Sequence, residues 1–402
     1  MPEPHPVPSP APGGAGSGSA PGGAPGTAPG AAPGPASRRP INLALQGGGS
    51  HGAFTWGVLD SLLAEPGLEI EGLSGTSAGA VNAVALACGY ARGKSQPGGD
   101  PRWGGRTCLA RVWDAIGRWG ALGDWQGQFS RELWGAGAAT QWLPGQLWAQ
   151  AISGLLSPYQ LNPLDFNPLR QLLREEIDFA AIRRAGRPRV FVSATHVATG
   201  KAVVFTGRDL DARAVTASAC LPTLFQAVEI GGQAYWDGGY SVNPALSPLI
   251  AGCTTPDILV VQINPLVRPG KPETATEILD RMNELNFNAS LMTQMRGIDR
   301  INRLLAQGAL TPGCNTKPVR LHRIDGGPAL LAYKASSKLR SDPELLQELF
   351  EIGRAAGQAW LRRHLDDVGR RSTVDVARDY EDDTRTDRPR PWLARLLARH
   401  VR

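Results

Sequence analysis

Short apolar runs, glycine-rich breaks and helically spaced apolar positions follow one another along most of the chain. Residues 41–45 (INLAL) are mostly apolar and are halted by Gly47, Gly48 and Gly49, which predicts a buried strand feeding a tight loop. Phe54, Val58, Leu59 and Leu62 then recur at helical spacing within residues 52–63. A second short strand is predicted around residues 72–74. It runs into Gly75-Thr76-Ser77-Ala78-Gly79, and an alanine-rich helix follows to about Ala91. Strand, glycine turn and helix, twice over, are the signature of a parallel α/β sheet.

The same pattern returns further on. Residues 189–194 (RVFVSA) and 201–205 predict paired strands, and a helix is predicted over 210–219 before Leu221-Pro222. Two short strands flank Gly231-Gly232, the second leading to Trp236-Asp237-Gly238-Gly239. Residues 258–263 (ILVVQI) are almost wholly apolar, as a strand buried on both faces should be. Another strand is predicted at 319–324, with long helices over 273–306 and 343–365. The second of these carries Leu345, Leu346, Leu349, Ile352 and Gly353 on one stripe. No internal repeat is visible.

Three stretches break the pattern. Residues 1–39 are almost wholly Pro, Gly, Ala and Ser. They bury too little apolar surface to offset the entropy of ordering, which predicts a disordered arm. Residues 103–169 hold seven of the 11 tryptophans, between Trp103 and Trp148, interrupted by Pro144, Pro158, Pro163 and Pro168. Short helices forming an insertion over the sheet are expected there. Its role is either an ordinary share of the core or an acyl-chain pocket or lid, since tryptophan suits a surface half in lipid and half in water. The hydrolase-like region is taken as 40–368, and residues 369–402 as a flexible charged tail. That tail ends in residues 391–402 (PWLARLLARHVR), a short basic amphipathic helix that suits either docking on a membrane surface or packing on its own domain.

Composition narrows the functional class. A net charge of +6 over 402 residues suits colloidal solubility or attraction to anionic membranes. It lacks the basic, aromatic-interleaved stripe of a nucleic-acid binder. The five cysteines (Cys88, Cys108, Cys220, Cys253, Cys314) are odd in number, widely spaced and without a CxxC pair, so reduced, buried thiols in a reducing compartment are expected. A secretory leader would need a basic start and an apolar run, and a membrane span roughly 18 unbroken apolar residues; the sequence has neither. A cytoplasmic protein is expected, soluble or peripherally attached to membranes, and its oligomeric state is left open.

Three motifs carry candidate chemistry. Gly75-Thr76-Ser77-Ala78-Gly79 between strand and helix has the form of a nucleophile elbow. Ser77 sits on a strained turn, with Gly75 and Gly79 removing side chains that would clash. The helix that follows aims its N-terminus at the hydroxyl. Gly47-Gly48-Gly49-Ser50-His51-Gly52 can turn several backbone N–H groups onto one point, as an anion or a developing oxyanion requires. It lacks the Gly-Lys-Ser/Thr ending of a nucleotide-phosphate loop and the acidic residue of a dinucleotide site. With an exposed serine 28 positions after Gly49, an oxyanion hole is the economical account. Asp237-Gly238-Gly239 places a carboxylate at a strand end where two glycines allow close backbone approach.

In order and context these motifs resemble the patatin-like phospholipase family. The likeness runs from about Ile41 to Val267 and includes Ala217-Ser218-Ala219-Cys220-Leu221-Pro222 and Asn243-Pro244. The resemblance implies a three-layer α/β sandwich around a mostly parallel sheet, and a lipid acyl hydrolase with a Ser–Asp dyad and no catalytic histidine. Carried over, Ser77 is the nucleophile, Asp237 the general base, and the backbone of Gly47, Gly48 and Gly49 the oxyanion hole. Gly52, Gly75, Gly79, Gly238 and Gly239 are the motif glycines. His51 stands where the family usually has Arg or Lys. The implied substrate is a lipid or phospholipid, reached through peripheral contact by the tryptophan-rich insertion and residues 391–402. No cofactor or metal is called for.

Two rival readings remain at this level. His322 follows Asp237 in the chain order of a Ser–Asp–His triad. In an alternating strand (VRLHRI), however, a structural histidine is the simpler account, and His196 and His51 are similar candidates. The other rival is a catalytically silent lipid- or partner-binding module on the same fold.

Overall fold

The computed structural model describes residues 38–133, 157–313, 316–334, 337–338 and 340–381. Residues 1–37 of the expected arm, residues 134–156 of the tryptophan-rich stretch, Cys314 and the amphipathic segment at 391–402 lie outside the described residues. Arg39, expected in the arm, instead opens the first strand and pairs with Asp366 at 2.7 Å.

Eight strands form one sheet: β1 (Arg39–Leu45), β2 (Leu68–Thr76), β3 (Arg189–His196), β4 (Ala202–Thr206), β5 (Val228–Ile230), β6 (Gln233–Asp237), β7 (Asp257–Gln262) and β8 (Arg320–Asp325). The pairing runs β5-β6-β3-β2-β1-β7-β8, with β4 also on β3. β3, β2, β1, β7 and β8 pair in parallel, whereas β4 and β6 join β3 antiparallel. The apolar runs in the sequence therefore fall on the central strands.

Strand alternation creates the layers. Leu43 and Leu45 of β1, with Leu259 and Val261 of β7, join one apolar cluster with α1 (Gly52–Ala64), α2 (Ala78–Ser95) and the first part of α3 (Pro101–Leu133). Ala44, Ile258 and Val260 point the other way, against Leu249 and against Leu291 and Met295 of a long helix. Helices thus cover both faces of a mostly parallel sheet. α1 is buried along nearly its whole length, as a helix apolar all round must be. It lies against α6 (Pro343–His364), where a Cβ on Gly57 would come within 1.9 Å of the Phe350 carbonyl. Two further helices matter below: α4 (Ala212–Ser218) and α5 (Ala275–Ala306), the long helix just mentioned.

Two expectations are corrected. One helix of 33 residues, α3, replaces the several short helices expected from residue 103 onward. Cys108, Leu109, Val112 and Trp113 are buried in the core, and the Trp113 ring stacks on Trp56 at 6.3 Å while its Nε1–H donates to Asn82 at 2.9 Å. This portion takes the core role. The second correction concerns the start of the charged tail. Val376 and Tyr380, on and just after a single helical turn (Val376–Asp379), are buried. The Tyr380 hydroxyl donates to Gln262 at 2.9 Å. Two apolar side chains among many charges leave no periodic signal, yet they suffice to dock a turn. Cys88, Cys108, Cys220 and Cys253 are free and buried. No described helix is long and apolar enough to cross a membrane.

Candidate active site

β2 ends at Thr76 and α2 begins at Ala78, so Ser77 is the whole joint. Its backbone is left-handed (φ 54°, ψ −124°), a conformation that costs a non-glycine residue on the order of 1–3 kcal/mol and persists only where the surroundings impose it. They do so here. A Cβ on Gly75 would lie 2.3 Å from the Gly79 carbonyl, and one on Gly79 would lie 2.1 Å from the Leu45 carbonyl. The elbow can fold this tightly against β1 only because both positions are bare. Ser218, at the end of α4, holds the turn from the side. Its hydroxyl accepts from the Ser77 amide at 2.9 Å and donates to the Ser193 carbonyl at 2.6 Å. That gives the Ala217–Pro222 segment a structural task the sequence did not reveal.

β3 brings the carboxylate to the hydroxyl. Its consecutive residues Ser193 and Ala194 pair with Thr76 at the end of β2 and with Asp237 at the end of β6. Because β2 runs parallel to β3 and β6 antiparallel, their last residues meet head to head. Asp237 is fully buried, and its Oδ1 accepts from the Gly239 amide at 2.7 Å. Burial pushes its carboxyl up from 3.8 to about 6, against the opposing pull of the Ser77 hydroxyl and the Gly239 amide. The Ser77 hydroxyl is thus near enough to favour the carboxylate, yet Oδ2 completes no hydrogen bond of ordinary geometry among the described residues. A buried acceptor left open beside a hydroxyl is poised to take a proton.

The glycine loop closes the third side. A Cβ on Gly47 would lie 2.7 Å from the Ser77 Cβ, so the loop abuts the serine directly. The expectation that the amides of Gly47, Gly48 and Gly49 all face an oxyanion is corrected at its first member. The Gly47 amide donates to Asn243 Oδ1 at 2.6 Å and is not free. Its carbonyl accepts from the side-chain amides of Asn264 at 3.1 Å and, more weakly, Asn243 at 3.4 Å. The amides of Gly48 and Gly49 donate to nothing among the described residues. Gly49 is left-handed (φ 57°), and a Cβ there would strike the Lys338 carbonyl at 2.3 Å. Asn243 sits in a motif the sequence had singled out without a role. Asn264 and Lys338 carry no local sequence signal at all.

Among the described residues, none of the three candidate histidines is hydrogen-bonded to Ser77 or Asp237. His322 is fully buried, with Nε2 3.1 Å from Asp257 and Nδ1 3.2 Å from Thr373. Asp257 opens β7, at the opposite end of the parallel strands from Ser77. His196 bridges Thr199 and Gln233 at the exposed end of β3, and His51 meets the Ser337 hydroxyl at 2.8 Å. Replacing His322 with Asn is expected to lower the melting temperature and to leave kcat on a soluble ester within about threefold. A thousandfold loss of kcat would return His322 to the reaction. Among the described residues, no group of three or more His, Cys, Asp or Glu side chains is placed to hold a metal ion.

A family model of patatin-like phospholipases matches residues 43–250, slightly more than half of the chain. Ser77, Asp237 and the glycine loop all fall within that span. Among solved structures, VipD from Legionella pneumophila aligns over 82% of this chain and 67% of its own, at 15% identity and a TM-score of 0.38. No curated protein matches the chain. With a mostly parallel sheet covered by helices on both faces and a family match over more than half its length, the chain belongs to the patatin-like phospholipases, a family of lipid acyl hydrolases.

Proposed function

We propose that the protein cleaves fatty-acyl esters of lipids or phospholipids through an acyl-enzyme on Ser77, with Asp237 as the base and the amides of Gly48 and Gly49 as the oxyanion hole. One observation carries the reading: β3 holds the ends of β2 and β6 on successive residues, while Gly47 packs against the Ser77 Cβ. A hydroxyl and a buried carboxylate are thereby brought together beside a glycine loop that has two uncommitted amides, which supports this reading.

The chemistry follows in two halves. Asp237 accepts the Ser77 proton as the oxygen attacks the ester carbonyl, and the Gly48 and Gly49 amides take the charge that gathers on the carbonyl oxygen. Collapse expels the alcohol, which leaves with the proton from Asp237. Water then gives its proton to the same carboxylate, attacks the acyl-enzyme, and releases the fatty acid with Ser77 restored. A carboxylate of ordinary proton affinity would be a poor base for a hydroxyl. One raised to about 6 by burial is better matched to neutral pH. The first residues of α2 add the positive end of a helix dipole beside the reacting oxygen.

The deciding experiment combines covalent labelling with turnover. A fluorophosphonate probe is expected to label the protein on Ser77 and to leave Ser77→Ala unlabelled. A panel of acyl lipids should be hydrolysed by the wild type and not by Ser77→Ala. Folded protein that neither labels nor turns over any member of the panel would instead support a lipid- or partner-binding module. The family's substrates are lipids, and the headgroup and position cleaved are what the panel would identify.

A further inference from the structure

A charged side chain stands behind the glycine loop, and the reaction as derived above makes no use of it. Lys338 is partly buried, and among the described residues no carboxylate lies within ion-pair distance of its ammonium. Its Nζ donates to Asn264 Oδ1 and lies 5.8 Å from the centre of the Phe287 ring. Phe287 in turn packs against Gly239, two residues beyond Asp237. The Lys338 carbonyl touches Gly49. The same residue therefore meets the loop with its backbone and approaches it again through Asn264.

The direction of each bond in this chain is forced. An ammonium has only donors, so the side chain of Asn264 must turn its oxygen toward Lys338, which leaves its NH2 for the Gly47 carbonyl. The peptide joining Gly47 and Gly48 is planar and trans, so a carbonyl pinned on one side aims the Gly48 N–H to the opposite side. Gly47, the residue whose carbonyl is pinned, packs directly against the Ser77 Cβ. Each link also polarises the next, so a positive charge at the far end makes the Gly48 amide a stronger donor. The backbone of Asn264 is itself held, because Gln46 Oε1 accepts from the amides of Ile263 and Asn264 at 2.8 Å each. His51 supplies no competing charge: burial, helped by Lys338 and Arg268, drives its imidazole down to about 3.

On the reading that Ser77 is the nucleophile, we propose that Lys338 is a positioning residue of the oxyanion hole, orienting and polarising the Gly48 amide through Asn264 and the Gly47 carbonyl. Burial lowers its own proton affinity to about 8, with Glu284 and Asp280 opposing that fall and Arg268 adding to it, so the side chain remains charged at pH 7. Its charge matters most when the substrate oxygen becomes negative. Losing it should therefore slow turnover without weakening ground-state binding.

The test uses the full chain, p-nitrophenyl butyrate as substrate, and a fatty-acyl trifluoromethyl ketone, whose adduct with the serine carries an oxyanion. Lys338→Met is expected to lose about 30- to 100-fold in kcat, part of the effect of deleting one oxyanion donor, with KM within about threefold. Affinity for the ketone should fall by a similar factor, and Lys338→Arg should recover kcat to within about fivefold. If the Met variant does not fold, Lys338→Gln is read in the same way, since it keeps a donor and removes the charge. A folded neutral variant with kcat and ketone affinity within threefold of wild type overturns the proposal. So does a loss that appears wholly in KM. Ser77→Ala is assayed beside them. If it is inactive while the Lys338 variants are unimpaired, only the role of Lys338 falls; if it is fully active, the serine mechanism and the role of Lys338 fall together.

Discussion

Asp237→Asn is expected to abolish turnover while making the protein no less stable at pH 8. As base, Asp237 must take the Ser77 proton, and a side-chain amide cannot. A loss of a thousandfold or more in kcat, about 4 kcal/mol of barrier, is expected on p-nitrophenyl butyrate. Stability moves the other way. Burial raises the folded-state pKa of Asp237 from 3.8 to about 6, so the folded protein holds this proton more tightly than the unfolded chain does. The carboxyl's contribution to stability is complete below pH 3.8 and is lost as pH rises through about 6. Above that range, the buried charge costs on the order of 3 kcal/mol. Asn carries no charge, fits the same space and can still accept from the Gly239 amide. The variant should therefore melt at or above the wild-type temperature at pH 8, and its advantage should fade by pH 4. The same titration shapes wild-type activity. Log kcat/KM should climb with unit slope below pH 6 and level off above it, since kcat/KM reports the base of the free enzyme. An Asn variant that keeps a tenth of wild-type kcat would remove Asp237 from the role of base.

Gly79→Ala should act on folding itself. The added Cβ would lie 2.1 Å from the Leu45 carbonyl oxygen and 2.7 Å from its carbon. Neither can yield easily, because Leu45 ends β1, which pairs with β2 on one side and β7 on the other. Relief would have to come from moving α2 away from the sheet, and α2 is buried along most of its length. A destabilisation of about 3 kcal/mol or more is expected, at the upper end for overpacking, read as a lower urea midpoint at unchanged slope. Because the elbow would shift with the helix, fluorophosphonate labelling of Ser77 should also slow in the protein that still folds. A midpoint within 0.2 M of wild type, an offset of about the precision of such measurements, would mean that the elbow has slack the geometry denies.

Local order was readable in the residues because its causes are local. Apolar runs stopped by glycine became β1 and β2, and the almost wholly apolar stretch near residue 260 became β7, buried on both faces. The helical stripe through Leu345 and Leu349 became α6. The serine elbow was readable for the same reason: two glycines and one strained turn form a constraint spanning five residues. The role of the early part of the tryptophan-rich stretch was left open between core and lid, and the start of the tail was misread, because both depended on partners distant in sequence. Trp113 is core because Trp56 and Asn82 wait for it, and Tyr380 is buried because Gln262 offers its hydroxyl an acceptor.

By itself, then, the sequence determined which segments are strands and helices, that the sheet is largely parallel, and which serine, carboxylate and glycines stand in candidate motifs. Tertiary structure alone decided what each of those groups is free to do. Only the folded chain shows that the Gly47 amide is spent on Asn243 while those of Gly48 and Gly49 are not. Only there does β3 set the ends of β2 and β6 side by side. Only there does Lys338, 289 positions after Gly49, come to rest behind the loop. Propensity and periodicity act over a few residues, whereas hydrogen-bond commitment and proton affinity depend on whatever the chain brings within a few ångströms, however far away it is in sequence.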